Sequence, residues 1–286
     1  MGFFGRKVAR LPDRGILIVS TDLQGNLGDY ERLKQIHAEE LARDPGAILI
    51  LTGDLVHGPS PELEEPGAWL SHLGSPYGDR SARLILDFMS YVERAPALAL
   101  LGNHEHAHIG GPVVAKFYAD EAAVLDQALG DDCGAVHAFM RSFPLIATSR
   151  AGAVLTHGAP RDTEPDLEAF ERLRYEGYEH ISIHSMHDHD TVGALLWSRG
   201  ATPEQARALL KAASLEPDRP AGFVAYGHDV VREGYEKVGR EQICVSTSYG
   251  LFDRDKVYLR LDLARRYDSV DDLREGEEIQ RLYPDR

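Results

Sequence analysis

The segment Ala97-Leu-Ala-Leu-Leu-Gly-Asn-His-Glu105 places an apolar run directly before a glycine and side chains that bind metals or move protons. The apolar run predicts a buried strand over 97–101. In α/β folds, functional side chains collect just beyond the carboxyl ends of strands. The segment therefore predicts an α/β fold with a functional site at this strand end.

Four other motifs repeat this arrangement of an apolar run followed by polar residues. The runs cover 15–20, 47–51, 153–155 and 222–226. The side chains that follow all five runs and can bind metal are Asp22, Gln24, Asp54, Asn103, His157 and His228. Aspartate, asparagine and histidine together suit borderline divalent metals such as manganese, iron or zinc. The set indicates a two-metal site for phosphate-ester hydrolysis.

Composition restricts the class of protein and its partners. The 286 residues carry a formal net charge of −15, which argues against non-specific binding to nucleic acid or anionic membranes. No apolar run approaches the length of a membrane span. Cys133 and Cys244 lie far apart and match no metal-binding cysteine spacing, which favours reduced thiols. We expect a cytoplasmic protein with neither a nucleic-acid nor a membrane partner.

Strands alternate with helices along the chain and a strand-rich part follows. Helices are predicted over 28–44, 80–94 and most of 113–142, with patches near 165–175, 190–197 and 203–214. Segments 58–79 and 160–220 are predicted to be irregular, and strands over 222–227 and 242–263. The charged tail 264–286 is expected to be a peripheral helix or a frayed end. No linker is evident, so we expect a single domain over 1–286 with its core at about 15–263.

The five motifs, in this order, resemble those of the calcineurin-like metallophosphoesterases. Segments 195–198, 227–236 and 246–253 are similar to elements of the phosphoprotein phosphatase branch, which includes Ser/Thr protein phosphatases and dinucleoside tetraphosphatases. The resemblance covers roughly residues 15–263. It implies a four-layer α-β-β-α sandwich of two mixed sheets flanked by helices.

The resemblance also implies roles for the motif residues. Asp54 resembles the carboxylate that bridges two divalent ions, and Asp22 resembles a ligand of one of them. His104 resembles the imidazole that protonates the leaving alkoxide after a metal-activated water attacks. Three further residues resemble the remaining ligands of the other ion, namely Asn103, His157 and His228.

Two positions depart from the family pattern. Gln24 stands where the family has a histidine ligand, so it is either a weaker ligand or a non-binding residue, and one metal position is expected to be weak. His57 stands near the family's Asp-Arg pair. This exchange removes the carboxylate expected to orient His104, and His57 either substitutes for it or is a solvated loop residue.

The missing arginine has two candidate replacements for holding phosphate, Arg161 and Arg199. Surface arginines are common, and that interpretation is favoured for both. Asn103 is a further candidate for contact with substrate. The resemblance places Tyr249 near the site, and ordinary packing at a sheet edge explains it equally well.

Additional histidines lie outside the motifs. His184, His187 and His189 can complete the depleted metal position or bind a separate zinc ion, but a solvated helix-capping segment is favoured. His106 and His108 are interpreted as structural or exposed.

The predicted function is hydrolysis of phosphate monoesters, as in Ser/Thr phosphatases, on a phosphorylated small molecule or a phosphoprotein. A first alternative is a dinucleoside polyphosphate hydrolase, although the acidic loop 58–79 does not favour it. A second alternative is a catalytically weakened homologue that binds phosphate groups or a protein partner. Gln24 and His57 motivate this last hypothesis.

Overall fold

The computed structural model describes residues 2–216 and 218–285. The strands are β1 (Val8–Arg10), β2 (Ile16–Ser20), β3 (Ile48–Leu51), β4 (Ala97–Ala99), β5 (Ile146–Thr148), β6 (Ala153–Leu155), β7 (Phe223–Tyr226), β8 (Tyr235–Val238), β9 (Gln242–Val245), β10 (Val257–Asp262) and β11 (Ile279–Arg281). They form two mixed sheets with the strand orders β11-β10-β2-β3-β4 and β1-β5-β6-β7-β9-β8.

Helices cover these sheets. They are α1 (Leu27–Arg43), α2 (Ser81–Val92), α3 (Asn103–His106), α4 (Glu121–Leu129), α5 (Cys133–Arg141), α6 (Leu167–Glu171), α7 (Ile183–His189), α8 (Thr191–Trp197) and α9 (Pro203–Ala212). Asn26 caps α1 because its side chain accepts a hydrogen bond from the N–H of Asp29. Within the described residues, no helix is long and apolar enough to cross a bilayer.

The apolar runs of the strands are explained by burial on both faces. Leu17 and Val19 of β2 lie with Ala153 and Leu155 of β6 in the apolar layer between the two sheets. Ile18, which points the other way, belongs to the layer that packs beneath the helices. Side chains alternate along a strand, so a strand with both faces covered must be apolar throughout. The predicted arrangement of two mixed sheets flanked by helices is confirmed.

Strand direction brings the motif loops together. β2, β3 and β4 are parallel neighbours in one sheet, and β6 and β7 are parallel neighbours in the other. All five motifs follow these strands, so their polar residues emerge at the carboxyl ends.

The structure differs from the sequence-based expectation in several segments. In the described part of the tail, residues 264–285, the expected peripheral helix or frayed end is replaced by a short 3₁₀ turn, Val270–Asp272, and by β11, which pairs with β10. Leu273, Ile279 and Leu282 are buried. Apolar residues spaced through a charged sequence anchor it. Most of 113–142 was expected to be helical, but the first helix there begins only at residue 121. Helix α7 lies in a segment where no helix was expected. Strands β9 and β10 follow one another in the chain but belong to different sheets.

Candidate active site

The site loops hold an unusual backbone conformation. In the part of the chain that the structure describes, only five residues other than glycine have a positive φ. They are Asp22 (49°), Gln24 (41°), Asp54 (53°), His57 (70°) and His228 (64°). The left-handed conformation costs roughly 1–2 kcal/mol for such residues and persists only where the surroundings impose it. All five were predicted to belong to the site, including the two that depart from the family pattern.

Four of the predicted metal ligands converge on one point. Nε2 of His157 lies 2.9 Å from Oδ1 of Asn103, 3.1 Å from Nδ1 of His228 and 3.4 Å from Oδ1 of Asp54. Nδ1 of His157 lies 2.9 Å from the carbonyl oxygen of Thr52, so this nitrogen carries the proton and donates it there. Nε2 then carries a lone pair that faces the side-chain oxygens of Asn103 and Asp54. A divalent cation replaces this repulsion by coordination, so the four residues fit a metal ion.

Glu105 holds the loop that presents Asp54. Its Oε2 accepts hydrogen bonds from the N–H groups of Asp54 (2.8 Å) and Gly102 (3.1 Å), and its Oε1 accepts one from Leu55 (2.8 Å). Burial, together with the charge of Asp54, raises the pKa of Glu105 to about 7. Glu105 thus ties the second motif to the third.

A lysine side chain contacts Gln24, the residue that replaces the family's histidine ligand. Nζ of Lys116 lies 2.8 Å from Oε1 of Gln24. The carboxylate of Asp22 accepts from the N–H of His228, at 3.1 and 3.0 Å from its two oxygens. Burial lowers the pKa of Lys116 to about 8, while the neighbouring carboxylates act to raise it. The amide oxygen of Gln24 therefore already contacts a cationic group of the chain itself.

The lysine also explains where Tyr249 lies. Nζ of Lys116 is 3.5 Å from the centroid of the Tyr249 ring, and the N–H of Tyr249 donates to the carbonyl oxygen of Asp22 at 3.0 Å. Tyr249 is thus next to the site, through contact with the lysine. Sequence reasoning missed Lys116 because it lies in a segment without a motif, before α4.

His104 faces the metal ligands on one side and a carboxylate on the other. Its Nε2 lies 3.7 Å from Oδ2 of Asp54. Its Nδ1 lies 2.9 Å from Nδ1 of His57 and 3.3 Å from Oε2 of Glu121, and Nδ1 of His57 lies 3.3 Å from the same oxygen. Oε1 of Glu121 accepts from the N–H groups of residues 116 and 117, which fixes the carboxylate. His57 is therefore a buried neighbour of His104 and not a solvated loop residue.

Glu121 is a carboxylate neighbour of His104 that the sequence did not predict. The exchange at His57 removes the carboxylate expected at that position, and Glu121 places a carboxylate beside His104 from elsewhere in the chain. Burial acts to raise the pKa of the Glu121 carboxyl, but its contacts with His104 and His57 hold that pKa well below its ordinary value. No motif marks Glu121, which lies in the first turn of α4, far along the chain from His57.

The two histidines that follow His104 differ in their surroundings. Nε2 of His106 lies 2.7 Å from the carbonyl oxygen of Tyr175, so His106 is a buried structural residue. Nε2 of His108 lies 2.9 Å from Nε2 of His57. His104, His57 and His108 thus form a continuous row of imidazoles leading away from the site.

A cleft of about 730 Å³ opens over these residues. Cationic side chains of the wall include Lys116, Arg161 and Arg199. Arg161 contacts Asp188 and Arg199 contacts Asp229, each at 2.7 Å. Both predicted arginines thus border the cleft, and each is partly neutralised by an aspartate. The wall suits an anionic ligand.

The histidines of α7 line the cleft without joining the donor cluster. His184 and His187 lie on its wall, whereas the ring of His189 packs against Tyr178, with centroids 5.7 Å apart. Within the described residues, none of these three histidines belongs to a group of three or more donors that lie within 4.8 Å of one another. The site thus gathers the four convergent ligands, His104 and His57, with Arg161 and Arg199 at its border.

Comparisons with known proteins agree with this geometry. The calcineurin-like phosphoesterase family matches residues 16–232. A sequence search of curated proteins gave no significant match. A protein serine/threonine phosphatase from Saccharomyces cerevisiae with similarity to human phosphatase PP5 has a similar structure, with a TM-score of 0.58 and 14% identity over 89% of this chain and 76% of the other. The cold-active protein-tyrosine phosphatase of a psychrophile Shewanella species has a TM-score of 0.54 and 13% identity over 90% and 80%.

At these identities the two structures establish a shared fold. The family match covers all five motif loops and more than half of the chain. Together with the convergent ligands beyond the strand ends, it shows that the chain belongs to the calcineurin-like phosphoesterases.

Proposed function

We propose that this phosphoesterase hydrolyses phosphate monoesters, with a divalent metal ion held by Asp54, Asn103, His157 and His228 and with His104 as the general acid. The observation that supports this most directly is the contact of His104 with both a ligand and a carboxylate. Nε2 of His104 lies 3.7 Å from Asp54, and its Nδ1 lies 3.3 Å from Glu121. An imidazole in this orientation can hold a proton at Nε2 for a leaving oxygen. When bound, the metal supplies an activated water and screens the phosphoryl oxygens.

Lys116 gives the other half of the centre its positive charge. Its ammonium contacts Gln24, which stands where the family resemblance places a ligand of a second ion. A second divalent ion must then compete with a cation that is covalently part of the chain. The proposal is therefore one tightly held ion and one weak position. Lys116 borders the cleft and can donate a hydrogen bond to a phosphoryl oxygen.

The substrate is proposed to be a phosphorylated small molecule or a phosphoprotein. The cationic wall and the openness of the cleft support a phosphate group whose attached alcohol extends outwards. A monoester is favoured because cleavage of an alkyl phosphate monoester releases an alkoxide, and protonation by a general acid matters most for such a leaving group.

Turnover of a generic aryl phosphate tests the activity. Protein purified without chelator is assayed with manganese, iron(II) or zinc, and bound metal is measured in the same samples. We expect metal-dependent release of phosphate that is lost in a His228→Asn variant. Diadenosine tetraphosphate, assayed in parallel, tests the alternative substrate class. A protein that binds metal and phosphate but turns over neither substrate would be a binding module.

A further inference from the structure

A second cluster of metal-binding side chains lies outside the cleft, where α4 and α5 pack together. It consists of His108 from the loop after α3, Asp126 from α4 and His137 from α5, and Cys133 of α5 lies beside His137. Cys133 and His137 are four residues apart, so they lie on the same face of α5. None of the five motif loops contributes a ligand to this cluster.

The donor atoms of His108, Asp126 and His137 converge closely, and Sγ of Cys133 adjoins one of them. Oδ1 of Asp126 lies 2.9 Å from Nδ1 of His108 and 2.8 Å from Nε2 of His137. These two nitrogens are 3.2 Å apart, and Sγ of Cys133 lies 3.5 Å from Nε2 of His137. In a tetrahedral zinc site with the usual bond lengths, neighbouring nitrogens are about 3.3 Å apart and a nitrogen and a sulfur about 3.5 Å. The nitrogen–nitrogen and nitrogen–sulfur separations match this geometry.

A metal ion offers an alternative to hydrogen bonding within the cluster. If both imidazoles donated to Oδ1 of Asp126, their two hydrogens would meet over a single oxygen, since the nitrogens are only 3.2 Å apart. A cation between the atoms lets both nitrogens act as lone-pair ligands. It also uses the thiol of Cys133, the first residue of α5.

We propose that His108, Asp126, Cys133 and His137 form a binding site for one zinc ion, separate from the phosphoesterase centre. One thiolate, two imidazoles and one carboxylate make a donor set that suits zinc. The side chain of His108 is fully buried, whereas those of Asp126 and His137 are 33% and 22% exposed, so the ion can enter from solvent. Four protein ligands leave no open position, which is typical of a structural site.

The ion would connect three parts of the fold. It would join α4 to α5, and both helices to the segment that carries His104. It would also fix the tautomer of His108, because Nδ1 as a ligand leaves the proton on Nε2, directed at Nε2 of His57 at 2.9 Å. The site would thereby help to position the imidazole of His57, on the side that faces away from His104.

Cobalt substitution distinguishes this site from the phosphoesterase centre. A cobalt–thiolate bond gives a charge-transfer band in the near ultraviolet, and nitrogen and oxygen ligands give none there. Metal-free protein is titrated with cobalt(II) alone and then with zinc. We expect the band in the wild type and in His228→Asn, its loss in Cys133→Ser, and its retention in the control Cys244→Ser. Zinc should displace the band, and Cys133→Ser should bind one zinc ion fewer per chain.

A wild-type spectrum without the band would overturn the proposal, because Cys133 must be a ligand in it. The wild-type measurement decides this point even if Cys133→Ser fails to fold. A band that disappears in Cys244→Ser but persists in Cys133→Ser would place the metal elsewhere and also contradict the proposal. These spectra do not depend on phosphatase turnover, so failure of the proposed activity would be seen separately.

Discussion

The two halves of the phosphoesterase centre differ in how positive charge reaches them. In one half, Asp54, Asn103, His157 and His228 converge on a common point, where we propose that an ion from solution binds. In the other half, Lys116 contacts Gln24 directly. Under the proposed function, the chain itself supplies a cation at the position where a ligand for an ion is exchanged. We therefore expect loss of a ligand in the first half to remove bound metal. Loss of Lys116 in the second half should instead allow a second ion to bind when metal is abundant.

The largest effect is expected from removing a ligand of the first half. His228→Asn should lose the tightly held ion and lower turnover by about 10³-fold, because a metal ion contributes several kcal/mol and each factor of ten corresponds to about 1.4 kcal/mol. Metal analysis and aryl phosphate turnover measure this. The exposed His180 provides a matched control, since His180→Asn should change neither. Full metal content in His228→Asn would refute the ligand assignment.

Removing the general acid should give a substrate-dependent loss. His104→Asn should slow hydrolysis of an alkyl phosphate, such as a phosphoserine peptide, on the order of 10²-fold or more. An activated aryl ester needs less protonation and should be affected much less, with metal content unchanged. Equal losses on both substrates together with loss of metal would make His104 a ligand or a structural residue.

The second half is tested by removing the ammonium group. Lys116→Met keeps a long apolar side chain, and it should lower turnover by about 10²-fold when metal is limiting, as for loss of one charge-stabilising donor. High manganese should restore part of the rate, since a second ion no longer meets a fixed positive charge. Lys211→Met, on the exposed surface of α9, is the control. If Lys116→Met lowers the rate equally at every metal concentration, the lysine does not compete with an ion.

A smaller effect is expected from the carboxylate behind His104. Glu121→Gln keeps the shape but places an amide against Nδ1 of His104 and His57, and it should lower alkyl phosphate turnover roughly 10-fold. The ratio of alkyl to aryl rates measures this positioning role. A purely structural role for Glu121 would reduce both rates and leave their ratio unchanged.

The smallest effect is expected from restoring the exchanged ligand alone. Gln24→His should leave the metal titration nearly unchanged, because Lys116 still lies in the position. Gln24→His combined with Lys116→Met should bind a second ion, which metal analysis can count. A second tightly bound ion in the Gln24→His single variant would show that Lys116 does not prevent an ion from binding at this position.

Local sequence predicted some of these residues and not others, for a physical reason. Asp54, Asn103 and His157 each follow a strand directly, so the strand itself places them. Lys116 and Glu121 lie between the third motif and α4, and only tertiary packing brings them to the site. The two-sheet arrangement came from the family resemblance and not from periodicity. The tail was misjudged because three apolar residues in a charged stretch are enough to anchor β11.

The link between Asp22 and His228 has a consequence for when the centre comes into being. The carboxylate of Asp22 accepts from the N–H of a residue 206 positions later, and the two residues extend from different sheets. Contacts of such long sequence separation form late in folding, because a long loop must close first. A chain still being synthesised therefore lacks the complete centre until His228 has emerged and both sheets have formed. Capture of the catalytic metal would then mark a nearly finished protein, and truncated chains would remain inactive.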